Sequence, residues 1–371
     1  MGGTGVFVSL AEELAALFRR GVDEPLGEAR FEELALRAFA WQFGANRAYR
    51  GFCLGRGASP EKVTGWRDVP AVPTTAFKFV DLACCDAPAE ATFLTSGTTG
   101  GVERRGRHRV ASLALYRASA LPNLEAHLDP EGERPAILSL IPSPHVAPES
   151  SLSAMVGFAA DAWGNGVRWL GHPRTGTHVD GFVRASEEAA AGGGATLVAG
   201  TAFAFVHLLE GLALREWSVR LPEGSRIMET GGFKGRSRAV ERDELYRFLE
   251  SRLGVPADRV VNEYGMTELL SQLWEPVLRV GAEGRGVHVP PPWLRVRALH
   301  PSTLEELPEG EPGLLAFYDL ANLGSVCHVL TQDVGSVGPE GVRLAGRSEG
   351  AEPRGCSLAL EELLAATEGH R

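Results

Sequence analysis

"LTSGTTGG", Leu94 to Gly101, sets four hydroxyl side chains and three glycines behind a short apolar run, with no carboxylate among them. Glycines let successive backbone N–H groups turn toward one point and hydroxyls add donors, so such a loop suits an anion, above all a phosphate. Taken alone, its lesser alternative is a polar turn. No Gly-Lys-Ser/Thr follows it, so it is not a Walker loop, and no Gly-x-Gly-x-x-Gly opens a helix after a strand elsewhere.

Working outward, residues 9–50 carry helical periodicity, with Leu10, Leu14, Leu17 and Phe18 on one face and Ser9 with Glu12 as a capping box. "VPAVPTTAFKFVDL" follows, where Pro70 and Pro73 exclude regular helix and predict an extended lead into a buried strand. Strand-like runs then alternate with helical stretches such as 242–253: "ATFLT", "RPAILSLIPSPH", "ATLVAG", "SRIMETGG" and "DRVVNEYG". That alternation predicts an α/β layered body with its chemistry at the strand ends. Past Glu275, "WLRVRALH", "GLLAFYDL" and "GVRLAGR" predict a small β-rich subdomain. The expected organisation is one unit, residues 1–275 as α/β body and 276–371 as β-rich subdomain ending in a helix.

Composition excludes several classes. A net charge of −10 argues against nucleic-acid or anionic-membrane binding, which demands clustered positive surface. The longest apolar run, 195–209, is broken by polar residues and too short to span a bilayer. Five cysteines, odd in number and scattered, fit free thiols in a reducing cytoplasm. No histidine spacing supports zinc. "GRSEG", 346–350, has the spacing of a hydrolase nucleophile elbow, but Pro353 blocks the helix that should follow and no Asp completes the order.

Four motifs succeed one another: "LTSGTTGG" at 94–101, "NEYGMTE" at 262–268, "TQDVG" at 331–335 and "AGR" at 345–347. In that order they resemble the adenylate-forming superfamily of acyl-CoA synthetases, peptide-synthetase adenylation domains and luciferases. Longer stretches, "ETGGFKGRSRAV", "LGVPADRVVNEYGMTELLSQ" and "GRSEGAEPRGCSL", are similar to the bacterial acyl-protein synthetase (LuxE-type) family over nearly the whole chain. The resemblance implies an adenylate-forming large domain that uses ATP and Mg²⁺, releases AMP and carries the acyl group on a cysteine. Thr95, Ser96, Gly97, Thr98, Thr99 and Gly100 would cradle phosphates. From Glu263, Tyr264 and Gly265 onward, Tyr264 would stack on adenine, Thr267 would meet the α-phosphate and Glu268 would meet Mg²⁺, while Asp333 and Arg347 would hold the ribose.

The cysteine implied is Cys356. Physical reasons add to it: Ser357 would cap a helix over "LALEELLAAT", placing the sulfur just ahead of a helix N-terminus with Arg354 nearby, and positive potential favours the thiolate. The acid pocket implied by resemblance draws on His145, Ala199, Gly200, Phe203, Gly231 and Gly232. His145 has two readings, beside the reacting carboxylate or closing a strand end. The superfamily's lysine after the hydroxyl loop is missing, leaving Arg104, Arg105 or Arg107, and its C-terminal lid domain is expected to be absent, since the chain ends 24 residues after Arg347.

Two mechanisms stay open. Lys234 or an arginine stabilises the α-phosphate during adenylation, or the fold takes ready-made acyl-CoA and moves a fatty or aromatic acyl group, an anthranilate-type starter unit for secondary metabolism among them, to a carrier. The acceptor would be an acyl carrier protein or a reductase. Direct transfer from acyl-AMP without an acyl-cysteine, and a non-catalytic module binding nucleotide or carrier, are the alternatives.

Overall fold

The computed structural model describes residues 3–85, 88–95, 105–231, 241–348 and 353–368. The chain opens with three helices, α1 (Gly3–Phe18), α2 (Glu28–Ala45) and α3 (Arg47–Gly55). Leu10, Leu14 and Phe18 bury one stripe of α1, and the Asn46 side chain caps α3 by accepting from Tyr49 N at 2.9 Å. Ser9 is not a cap. It lies inside α1, because the apolar face extends back to Phe7, whose ring packs 5.9 Å from Trp41.

The prolines act as read. β1 (Val72–Pro73) is extended and a 3₁₀ turn, Thr74–Lys78, follows it. β2 (Ala91–Leu94) and β3 (Arg107–Val110) pair antiparallel. Next come α4 (Leu113–Leu128), β4 (Ala136–Ser139), α5 (Ser151–Trp163), β5 (Val167–Trp169), and the two-residue β6 (Gly171–His172) and β7 (Gly176–Thr177). Then α6 (Val179–Gly192), β8 (Thr196–Thr201), α7 (Ala202–Leu214), β9 (Arg226–Thr230), α8 (Arg242–Leu253) and β10 (Val260–Tyr264) complete the alternating body.

Those strands make one sheet in the order β5-β4-β8-β9-β10, all parallel, extended at the edge by the antiparallel β11 (Leu273–Trp274). Successive side chains alternate between two apolar layers: Leu197, Ala199, Met228 and Val261 on one face, Val198, Ile227 and Val260 on the other. One helix expected from the sequence is missing. β10 is followed by an irregular turn, because "GMTELLSQ" makes its bonds to side chains from elsewhere.

After α9 (Val277–Val280), a second sheet takes β12 (Leu294–Leu299), β13 (Gly313–Asp319), β14 (His328–Gly338) and β15 (Gly341–Arg347), and α10 (Arg354–Glu368) closes the chain. Strand β14 changes partner along one edge: β1 pairs parallel at Val329 and Leu330, then β15 pairs antiparallel from Asp333 onward. α10 packs against α3, where Arg56 and Glu362 form an ion pair at 2.6 Å. Among the described residues no helix is long and apolar enough to cross a membrane.

Candidate functional site

The carboxyl ends of β4, β8, β9 and β10 share one edge of the parallel sheet, with Thr201, Thr230 and Glu263 in register. Crevices outside that edge are where ligands bind in open α/β sheets. At the end of β10, Tyr264 donates its hydroxyl to Asp333 Oδ2 at 2.8 Å, and its ring stacks on Phe317 at 5.7 Å. Burial, then the neighbouring carboxylate, raise the phenol well above its ordinary value, so it stays a donor. Arg347 lies opposite Asp333 in the ladder, and its Nε is 3.8 Å from Asp333 Oδ1.

Glu263 and Gly265 flank that tyrosine. The Thr230 hydroxyl donates both to the Glu263 carbonyl, at 3.1 Å, and to its carboxylate. A Cβ at position 265 would lie 2.2 Å from Glu263 Oε1, so glycine leaves room for the carboxylate. Thr267 and Glu268 follow in the irregular turn; His108 Nδ1 bonds the Thr267 carbonyl at 2.8 Å and Asn322 Nδ2 donates to the Glu268 carbonyl at 2.8 Å. The Glu268 side chain is buried.

Of the hydroxyl loop, Thr95 is described and Ser96, Gly97, Thr98, Thr99 and Gly100 lie outside the described residues, as do Arg104, Gly232 and Lys234. Thr95 Oγ1 accepts from Gly106 N at 2.9 Å just past the β2–β3 pair. Arg105 is turned onto the same pair, donating to the carbonyls of Thr95 at 2.6 Å and Leu94 at 3.1 Å. His145 lies exposed on the turn after β4. Ala199 is buried in β8, and Gly200 sits where a Cβ would meet Phe205 at 2.9 Å and Leu140 at 3.2 Å. Phe203 is half-buried in the first turn of α7, and Gly231 takes a φ of +75° just past β9.

Cys356 departs from the expected setting. Helix α10 begins at Arg354, so the sulfur lies inside the first turn rather than ahead of it, and Ser357 N is satisfied by the Pro353 carbonyl at 3.0 Å instead of serving as cap. Proline suits a helix start because its missing N–H would have no partner there anyway. The thiol is 1% exposed and donates to the Thr331 carbonyl at 3.7 Å, two residues from Asp333. It packs among Leu314, Ala316 and Leu330, whereas Tyr264 and Phe317 belong to the other apolar layer of that sheet.

Sequence reading missed the buried groups around this edge. Glu229 on β9 accepts from Asn262 at 2.5 Å and from Tyr246 at 3.3 Å, Arg242 pairs with the fully buried Glu275 at 2.5 Å, and His288 Nε2 lies 2.7 Å from Asn262 Oδ1. Burial pushes the Glu229 carboxyl up to about 7 and the His288 imidazolium down to about 4. The one textual signal was a carboxylate standing inside an apolar strand pattern, as in "SRIMETGG".

The sequence profile described as "Acyl-protein synthetase, LuxE" matches residues 177–365, half of the chain. The chain belongs to the acyl-protein synthetase family. Two curated relatives are long-chain-fatty-acid–luciferin-component ligases. That of Vibrio harveyi is 27% identical over 149 residues, an alignment spanning 38% of either chain. That of Aliivibrio fischeri is 22% identical over 355 residues, 90% of this chain and 88% of the relative. Among solved structures, 2-hydroxyisobutyryl-CoA ligase in the postadenylation state with 2-HIB-AMP superposes with a TM-score of 0.64 at 16% identity, over 87% of this chain and 69% of that one. The α/β fold is therefore that of adenylate-forming ligases, and the family is one of enzymes.

Proposed function

We propose that the protein activates a carboxylic acid as its adenylate and passes the acyl group to a thiol. The observation that carries this reading is the cluster of Tyr264, Asp333 and Arg347, within 4 Å of one another in sequence of contact and next to the Thr267–Glu268 turn. A carboxylate accepts from two adjacent hydroxyls, a guanidinium donates a fork, and a stacked phenol offers an aromatic face to a base. Membership in the acyl-protein synthetase family supports the same reading.

In the first step the acid's carboxylate oxygen bonds to the α-phosphorus of ATP, the bond from that phosphorus to its bridging oxygen breaks, and pyrophosphate leaves. Thr95 and the hydroxyl loop would hold the outer phosphates, Thr267 the α-phosphate, and Lys234 or an arginine the charge that develops there. Glu268 would hold magnesium, a hard cation that takes one or two carboxylates plus phosphate oxygens and neutralises their charge. Its buried oxygen donors fit that role; among the described residues no three metal-binding side chains converge, so phosphate would have to supply much of the shell. Gly200, Gly231, Gly232, Phe203, Ala199 and His145 would line the acid pocket.

In the second step a thiolate sulfur bonds to the acyl carbon, the bond to the AMP oxygen breaks, and AMP leaves with the thiol's proton released to solvent. Cys356 is the proposed acceptor, handing the acyl group by a second thioester exchange to an acyl carrier protein or a reductase. Its burial favours a second reading, direct transfer from acyl-AMP to the partner's thiol, because a thiol 1% exposed needs α10 to move first. The unit proposed for this chemistry is the α/β body of residues 1–275 with the β-rich 276–371.

Intact-protein mass after incubation with fatty and aromatic acids plus Mg-ATP, and separately with the matching acyl-CoAs, tests the proposal. An ATP-dependent adduct mapped to Cys356 is the expected result. Acyl-AMP without an adduct selects direct transfer, an adduct from acyl-CoA alone removes the adenylation step, and neither product in any arm refutes the reading.

A further inference from the structure

Between the end of β10 and the start of β11, residues 265–272 belong to no helix or ladder. One backbone bond, Leu269 N to the Met266 carbonyl at 3.2 Å, is internal to the segment. A turn of this kind takes its shape from outside partners. Asp319, at the end of β13, supplies them. Its Oδ2 accepts from Leu270 N at 3.0 Å and from Ser271 N at 2.9 Å, and its Oδ1 accepts from Ser271 Oγ at 2.7 Å and from Ala321 N at 2.9 Å. Asn322 completes the grip, accepting from Leu270 N at 3.1 Å while donating to the Glu268 carbonyl.

The carboxylate is wholly buried, and its four bonds come from uncharged donors. The setting is unfavourable for a charge: burial raises the carboxyl to about 6 even though those bonds pull it down. Three of the four bonds go to the turn rather than to Asp319's own segment. The grip is also braced from the far side, since Ser271 Oγ lies 2.9 Å from Ser119 Oγ on α4, which accepts from Trp293 Nε1 at 2.8 Å. A cap for residues 320–324 alone would need the Ala321 contact and nothing more.

We propose that Asp319 is a positioning residue that fixes where the Thr267 hydroxyl and Glu268 carboxylate stand, by holding Leu270 and Ser271 immediately behind them. The inference rests on the functional reading above, in which those two side chains meet the α-phosphate and magnesium. It assigns the accuracy of that site to a residue 51 positions later in the chain that touches neither ligand. Groups standing behind a metal-binding carboxylate commonly govern how well it works.

The test is Asp319→Asn in the full chain. The amide keeps the side chain's size but offers one acceptor oxygen where the turn presents three donors. Relative to wild type, the magnesium concentration at half-maximal adenylate formation and the calorimetric Kd for ATP in the presence of magnesium should each rise about tenfold. The KM for the acid should stay the same, and amide hydrogen exchange over 267–272 in the nucleotide-free protein should speed up. A variant with a lower melting temperature but wild-type magnesium dependence and ATP affinity overturns the inference and leaves Asp319 as a core residue. If Asp319→Asn does not fold, Ser271→Ala removes one of the donors and should shift magnesium dependence the same way by less; no shift overturns it equally. Wild-type protein that binds no ATP sinks the functional reading and this inference together, whereas an active wild type with unaffected variants sinks the inference alone.

Discussion

Replacing Glu229 by Gln removes a buried acid while keeping its shape, and the consequence for stability has a defined sign. Burial raises this carboxyl from an ordinary 4.5 to about 7, against the lowering pull of Asn262, Arg242 and Tyr246 and with Glu275 adding a smaller upward push. Between those two values the folded protein keeps a proton that the unfolded chain has released. Its stabilising contribution is therefore complete below pH 4.5 and lost as the pH rises through 7. Moving the titration from 4.5 to about 7, at about 1.36 kcal/mol for each unit of pH, makes the whole effect about 3 kcal/mol. Glutamine cannot ionise but still accepts through its amide oxygen from Asn262. The stability of wild type measured relative to Glu229→Gln should thus fall by about 3 kcal/mol between pH 4.5 and 8. Urea unfolding of both proteins across that range reads it directly. A difference that stays flat with pH would show that Glu229 titrates no higher in the folded protein than in the unfolded chain, its neighbours offsetting its burial.

Three further outcomes follow from contacts already described. Tyr264→Phe deletes a donor to a charged acceptor, a bond of about 1.5–3 kcal/mol, and should raise the KM for ATP roughly tenfold while leaving adenylate detectable in a coupled pyrophosphate assay. Gly355→Ala places a Cβ 2.5 Å from Leu304 Cδ2 and 3.0 Å from the Pro301 carbonyl, so the start of α10 must shift, and alkylation of Cys356 should accelerate when followed by peptide mass. Leu363→Ala, at a fully buried position of α10, should cost about 2–5 kcal/mol of stability by thermal or urea unfolding and loosen the same helix.

Four strands of the parallel sheet, β4, β8, β9 and β10, were legible as apolar runs closed by turn residues, whereas the three-residue edge strand β5 was not, and helix 242–253 could be bounded by its amphipathic pattern alone. Tyr264, Asp333 and Arg347 were named from motif order, and the fold brings them into contact because β14 changes partner at Asp333, where β15 delivers Arg347. What the text could not yield were bonds between distant residues. Asp319 and Leu270, Glu229 and Asn262, His108 and Thr267 have no shared periodicity to betray them, and the turn after β10 looked helical since its real partners lie in other elements. The burial of Cys356 is of the same kind. Local signals located a helix start near it, but its exposure depends on how Ala359 and Leu363 seat α10 in the core.

Strand β1 is two residues long, yet Val72 pairs with Val329 across 257 positions of sequence. On a ribosome the early segment emerges long before its partner, so Val72 and Pro73 stay unpaired until most of the chain has been made. Contacts this distant are slow to close and leave strand edges exposed meanwhile. Production of this protein should accordingly be sensitive to elongation rate, temperature and chaperone supply, with losses appearing as aggregated nascent chain rather than as a less stable final product.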